Sequence, residues 1–147
     1  MGQLLAIAYR EKKRGDMKML DATSVTLAGG IHHDFRGKPG KRQVTVLSKE
    51  SWQTACAELN TSLPWFTRRA NLLITGIDLR DTINQTLEIG SAKLRITQET
   101  DPCKRMEEAY PGLEKILAKD WRGGVCCQVI SEGNIHVGDD IRLTHAE

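Results

Sequence analysis

The sequence predicts a mainly β domain of barrel or sandwich type, with two or three short helices. Three observations lead there. Short, often alternating apolar runs recur along the chain. Gly-containing turns separate them, and few segments show helical spacing. The 147 residues fit one domain, residues 1–147, long enough to bury a core without disulfide or metal staples. No internal repeat or low-complexity segment interrupts it.

Gln3 to Tyr9 reads as a first strand, ended by the polar run Arg10 to Asp16. Met19 to Leu27 is a weaker strand, broken at Ala28-Gly29-Gly30. Ile31 to Gly40, with two glycines and Pro39, marks a loop. Gln43 to Leu47 is short and β-branched, hence a strand. Ser48 fits an N-cap, and Trp52, Ala55, Cys56 and Leu59 give the following helix one apolar face. Asn60 to Leu63 ends that helix before Pro64. Arg69 to Thr75 predicts a strand closed by Gly76. Thr86 to Ile89 and Lys93 to Gln98 predict a hairpin across Gly90-Ser91, with Leu94 and Ile96 alternating against Lys93 and Arg95. Pro111 to Ala118 predicts a short helix with its proline near the start. Gly124 to Ile130, Asn134 to Val137 and Ile141 to Thr144 predict closing strands joined by glycine turns. The total is seven to nine strands.

A net charge of +2 argues against a dedicated nucleic-acid binder. The charge is uneven: residues 1–73 hold 12 Lys/Arg and 6 Asp/Glu, whereas residues 74–147 hold 9 and 13. An anion-binding surface should therefore draw on the first half. No apolar run approaches the roughly 20 residues that span a bilayer, so no membrane association is expected. The opening Met1 to Ala8 lacks a charged leader segment, and Ala6 breaks the myristoylation pattern, so a cytoplasmic protein is expected.

Of the four cysteines, Cys56 lies on the helix's apolar face and belongs to the core. Cys126 and Cys127 should point to opposite faces of a strand, with at least one buried. Cys103 follows Pro102 and precedes Lys104 and Arg105, and cations beside a thiol favour the thiolate. A buried structural cysteine is the alternative; the charged surroundings favour a reactive one.

Three further constellations could carry chemistry. Gly30 to Gln43 combines glycines, which let backbone N–H groups approach a ligand, with Arg36, Lys38, Lys41 and Arg42 as donors for phosphate. It is not a P-loop, and a solvated basic loop is the other reading. His32 and His33 are adjacent and should diverge, without chelating spacing. Arg68-Arg69 precedes an apolar run and could close over an anion held by the first loop, or simply flank a strand with surface charge. Trp121-Arg122-Gly123-Gly124 offers a bulge, a close approach to a ligand, or a plain turn.

In order, these motifs resemble the MOSC family, named for the C-terminal domain of molybdenum cofactor sulfurases. The resemblance runs from Leu27 to Leu143. Gly30-Ile31 with Asp34 and Gly37 is similar to its Gly-rich signature, and Arg42-Gln43-Val44-Thr45 to the segment after it. Arg69 with Asn71-Leu72 resembles its Arg-Asn-Leu segment, and Pro102-Cys103 its Pro-Cys. Arg122-Gly123-Gly124-Val125 and Gly138-Asp139 resemble its closing motifs. Two positions depart: His33 stands where the signature usually has Gly, and Arg36 where it usually has His.

The resemblance implies a closed β-barrel like the pyruvate kinase barrel domain. It implies binding of the molybdenum cofactor (molybdopterin), an anionic pterin phosphate dithiolene. Asp34, Arg36, Gly37, Lys38, Lys41, Arg42, Arg69, Asn71, Arg122 and Gly123 are the cofactor-binding residues it suggests. Cys103 becomes the catalytic residue and metal ligand, binding molybdenum or carrying sulfur. Some members reduce N-hydroxylated bases. A cysteine desulfurase or redox partner protein is a family expectation, but no lysine here is marked as a pyridoxal phosphate Schiff base. The rival reading is a non-catalytic barrel that holds nucleic acid or another anion with its basic loop. Such binding usually needs stacking aromatics, and only Phe35 lies among those cations.

Overall fold

The computed structural model describes residues 1–145. Seven strands form a closed barrel: β1 (Gly2–Tyr9), β5 (Val44–Ser48), β6 (Leu72–Thr75), β7 (Thr86–Ile89), β8 (Ala92–Glu99), β9 (Val125–Ser131) and β11 (Asp140–Thr144). Around the ring they run β11-β7-β8-β9-β5-β6-β1, and pairing of Gly2 with Ile141 closes it. β2 (Lys18–Leu20) hangs from β1. A small second sheet joins β10 (Gly133–His136), β3 (Ala22–Thr26) and β4 (Gly30–Ile31). Closure leaves the ring without a free edge.

Neighbours in the ring are antiparallel except β5 and β6. A parallel pair needs a crossover. Here α1 (Lys49–Glu58) and a 3-10 turn (Trp65–Arg68) supply it, then deliver Arg68 and Arg69 to one end of the barrel. Register shifts in β1 between Leu4 and Ala6, and in β8 between Ile96 and Gln98, bend the strands into the ring.

Alternation sorts the side chains into two cores. Leu4, Ile7, Val46, Leu72, Ile74, Leu94, Ile96 and Val129 fill the barrel. Leu47 and Leu73 point outward and are covered by Trp52, Cys56, Met106, Leu113 and Leu117 of the helical layer. β5 and β6 are covered on both faces, which is why their sequences are almost continuously apolar. Cys127 lies in the barrel core, where burial pushes its thiol far up, and Cys126 is buried on the other face against the Thr100 hydroxyl.

The ends of several elements differ from expectation. The Met19 to Leu27 strand divides at Asp21 into β2 and β3, and Gly30–Ile31 adds β4. β6 begins at Leu72 rather than Arg69, because Arg69 takes a left-handed conformation at φ 63°. The C-terminal helix is α3 (Leu113–Leu117), starting after Gly112. A helix absent from the sequence reading, α2 (Lys104–Ala109), precedes it. Six mostly charged residues with one buried member, Met106, leave no apolar period to detect. His32 and His33 do not diverge: His33 is left-handed at φ 66°, and the ring centroids lie 3.7 Å apart.

Candidate functional site

A cleft of about 330 Å³ opens at the end of the barrel where β1, β5 and β6 meet the helical layer. Four chain segments build it. The turn after β1 contributes Arg10, Lys13, Arg14 and Met17. The glycine-rich loop contributes Asp34, Arg36 and Arg42. The crossover contributes Arg68, Arg69 and Asn71, and the segment leading into α2 together with its first turn contributes Asp101, Cys103, Arg105 and Met106. Eight cations thus face two carboxylates, and none of the eight forms an ion pair among the described residues. Among the described residues no aromatic side chain lines the cleft.

Local structure explains each placement. Asp34 accepts hydrogen bonds from the backbone N–H groups of Arg10 at 3.1 Å and Arg36 at 3.3 Å, clipping the loop to the end of β1. Gly37 passes so close to the Gly29 carbonyl that an added Cβ would sit 1.7 Å from its oxygen. Buried Gln43 donates to the Gly37 carbonyl at 3.0 Å and accepts from the Val129 N–H at 2.9 Å, anchoring the loop to β9. Asn71 Oδ1 accepts from the Thr45 N–H at 3.0 Å, and its Nδ2 donates to the Ala8 carbonyl at 3.1 Å. Its amide therefore pins β1 to β5 at the cleft wall, with one Nδ2 hydrogen unassigned.

Arg68 is 8% exposed. Its Nε donates to the Gly123 carbonyl at 2.9 Å, while Nη2 is buried without a partner among the described residues. Burial pulls its pKa down; the Cys126 and Cys103 thiols oppose that, and Arg42 adds to it. Arg69 donates through Nη2 to the Gly15 carbonyl, and its Nε is likewise buried and unpaired. Burial, then Arg10 and Arg105, lower its pKa against the pull of Asp16. Arg10 is lowered by burial and by Arg36 and Arg105, with Asp34 opposing. Arginine keeps its proton near neutral pH all the same, so these are charges held together at a cost.

Cys103 is exposed at the cleft rim, at the N-cap position of α2, and its side chain caps nothing. Of the residues singled out by sequence, Asp34, Arg36, Arg42, Arg69, Asn71 and Cys103 come together here. Gly37 and Gly123 lie beneath, shaping the loop and holding Arg68. Lys38, Lys41 and Arg122 do not line the cleft. Lys38 and Lys41 are exposed. Arg122 pairs with Glu58 and Asp120 beside α1. The Gly123-Gly124 pair closes on protein: at φ 91° an added Cβ on Gly124 would lie 2.2 Å from the Val46 carbonyl oxygen. Sequence motifs missed Arg10, Lys13 and Arg14, which read as the polar end of a strand. The Arg68-Arg69 pair was the available signal for buried Arg68.

Fold and site together define a small closed β-barrel with an anion-receptive cleft and a thiol at its rim. The MOSC domain model matches residues 26–142, and the chain belongs to that family. The family is associated with molybdenum cofactor-related function. The YuaD protein of Bacillus subtilis has the same fold at TM-score 0.77 and 19% identity, covering 100% of this chain and 98% of that one. YiiM of Geobacillus stearothermophilus aligns at TM-score 0.77 and 15% identity, over 99% of this chain and 76% of its own. YiiM of Escherichia coli gives 0.73 and 16%, over 99% and 71%. A search among curated proteins finds no match. No helix is long and apolar enough to cross a membrane among the described residues.

Proposed function

We propose that the cleft binds the molybdenum cofactor by its phosphate and presents Cys103 as a molybdenum ligand or sulfur carrier. The observation that carries this reading is Arg68, buried to 8% exposure with Nη2 unpaired. A buried charge without a partner costs on the order of a few kcal/mol, and a bound anion offsets that cost. The donor chemistry fits the group: guanidinium forks suit phosphate, and a thiolate is a soft ligand for a transition metal.

In this reading Arg68 and Arg42 hold the phosphate. Asp34 keeps free lone pairs that suit N–H donors such as those of a pterin. Arg36 lies at the mouth of the same loop. Arg68 is itself shielded from water, which strengthens the charge-assisted hydrogen bonds it makes. When bound, the cofactor would supply a redox-active molybdenum centre, the chemistry that reduction of an N-hydroxylated substrate requires. Sulfur or electrons would come from a cysteine desulfurase or a redox partner protein.

The test is chemical analysis of protein purified from cofactor-competent cells. The wild type is expected to carry pterin and molybdenum, Arg68→Met to lose most of both, and Cys103→Ala to keep pterin while losing molybdenum or sulfur. No pterin in the wild type sinks the cofactor. Equal molybdenum and sulfur in Cys103→Ala sinks the role of the thiol.

A further inference from the structure

Among the described residues the cleft holds two unpaired buried guanidinium nitrogens, and they sit in different company. Arg68 Nη2 belongs with Arg42, Cys103 and Cys126. The Arg69 guanidinium, with Nε unpaired, lies near Arg10 and Arg105, with Asp16 as the acid facing it; Arg10 also neighbours Arg36 and Asp34 of the glycine-rich loop. One phosphate monoester brings a charge of about −1.5 to −2, which together with the two carboxylates leaves about half of the eight cations uncompensated.

Beside the second cluster the cleft runs on into a recess of about 460 Å³. Met17, Arg69, Arg105 and Met106 line both cavities, so the two arginines stand on the seam. Beyond them the recess wall includes Phe66, 39% exposed there, and Ala109, with Asp16 and Thr67 as its polar members. Charged forks at a seam and an apolar wall behind them recognise a molecule with both characters.

We propose that Arg10, Arg69 and Arg105 form a second anion subsite, which takes the carboxylate or phosphate of a small ligand whose apolar body lies against Phe66 and Met17. The assignment of the first subsite to a cofactor phosphate rests on the function proposed above; the second subsite rests on its own unpaired nitrogen and recess. Arg69, which family resemblance groups with the cofactor residues, belongs by its neighbours to this second cluster.

Calorimetric titration of the full-length protein with inorganic phosphate, benzoate and phenyl phosphate tests the proposal. Protein from cofactor-deficient cells is expected to bind two phosphate equivalents. Arg105→Gln and Arg42→Gln should each bind one, and Arg10→Gln serves as a second variant of the new subsite should Arg105→Gln fold poorly. Phe66→Ala should weaken benzoate and phenyl phosphate by about tenfold, the value of partly burying an aromatic face, and leave inorganic phosphate unchanged. Tighter phenyl phosphate assigns a phosphorylated ligand and tighter benzoate a carboxylate; either supports the subsite. A single phosphate equivalent in the wild type overturns it, as does indifference of both aromatic probes to Phe66→Ala. Pterin content separates the two readings. Arg105→Gln from cofactor-competent cells should keep its pterin, and its loss would merge the subsites and end the proposal. Absence of pterin from the wild type, with two phosphate equivalents retained, would instead remove the cofactor reading and leave the second subsite standing.

Discussion

At Arg68 a long side chain is folded beneath the cleft with Nε satisfied by Gly123 and Nη2 unpaired. Replacing an unpaired buried charge with an apolar side chain of similar volume is often neutral or stabilising. Arg68→Met leaves the Gly123 carbonyl without its donor, a loss of about 1 kcal/mol that offsets part of the gain. Ligand-free Arg68→Met is therefore expected to lie between unchanged and about 2 kcal/mol more stable than wild type in urea unfolding. A loss greater than about 1 kcal/mol would mean that the charge is structural rather than held for a ligand. Cys103 contrasts with it: exposed, outside both apolar clusters and capping nothing, it contributes little to the fold.

At the scale of elements, the cleft depends on how strand ends are joined. Asn71 links β1, β5 and the start of β6 through Ala8, Thr45 and its own backbone. Asn71→Ala strands the Ala8 carbonyl and the Thr45 N–H, and about 2–3 kcal/mol of stability should be lost in denaturant unfolding. A wild-type midpoint in that variant would show that water replaces the amide. At the far end of the crossover, Glu50 in the first turn of α1 accepts from the Thr75 hydroxyl and, at 3.1 Å, from the Gly76 N–H. Burial raises its pKa, but these bonds and one from Ser48 outweigh it and hold the group below its ordinary 4.5. A carboxylate with a lowered folded pKa stabilises the fold above its unfolded pKa, and that contribution fades as pH falls through the folded value. Stability should thus drop on acidification below about pH 4.5, and Glu50→Gln should flatten this part of the profile. An unchanged acid limb in Glu50→Gln would assign the drop to other carboxylates.

For the whole molecule, folding gathers cations from four segments that are scattered in the unfolded chain. An anion that binds only the folded state stabilises it by mass action, about 2.7 kcal/mol at a hundred times its Kd. For a domain of this size, each phosphate site near saturation should therefore raise the melting temperature by roughly 6–10 °C. The shift should shrink at high chloride, because screening weakens the partly exposed charges. A phosphate response equal to that of chloride at matched ionic strength would count against a specific anion site. Combining Arg42→Gln with Arg105→Gln should abolish the response.

The sequence determined what depends on near neighbours. Alternation in Lys93 to Gln98, the glycine turn at Gly90-Ser91, and Ser48 with Trp52, Ala55 and Cys56 mark β7, β8 and α1, because period and capping act within a few residues. The ordered motifs pointed to the family and to most of the cleft's loop. The tertiary structure decided what depends on distance along the chain. Ring closure through Gly2 and Ile141 joins residues far apart in sequence. Burial of Arg68 follows from the Gly123 carbonyl, 55 positions away. Diversion of Arg122 to Glu58 follows from the packing of α1. Charge patterning shows how many cations a chain carries; only packing decides which remain unpaired, because hydrogen-bond satisfaction is a property of the folded neighbourhood.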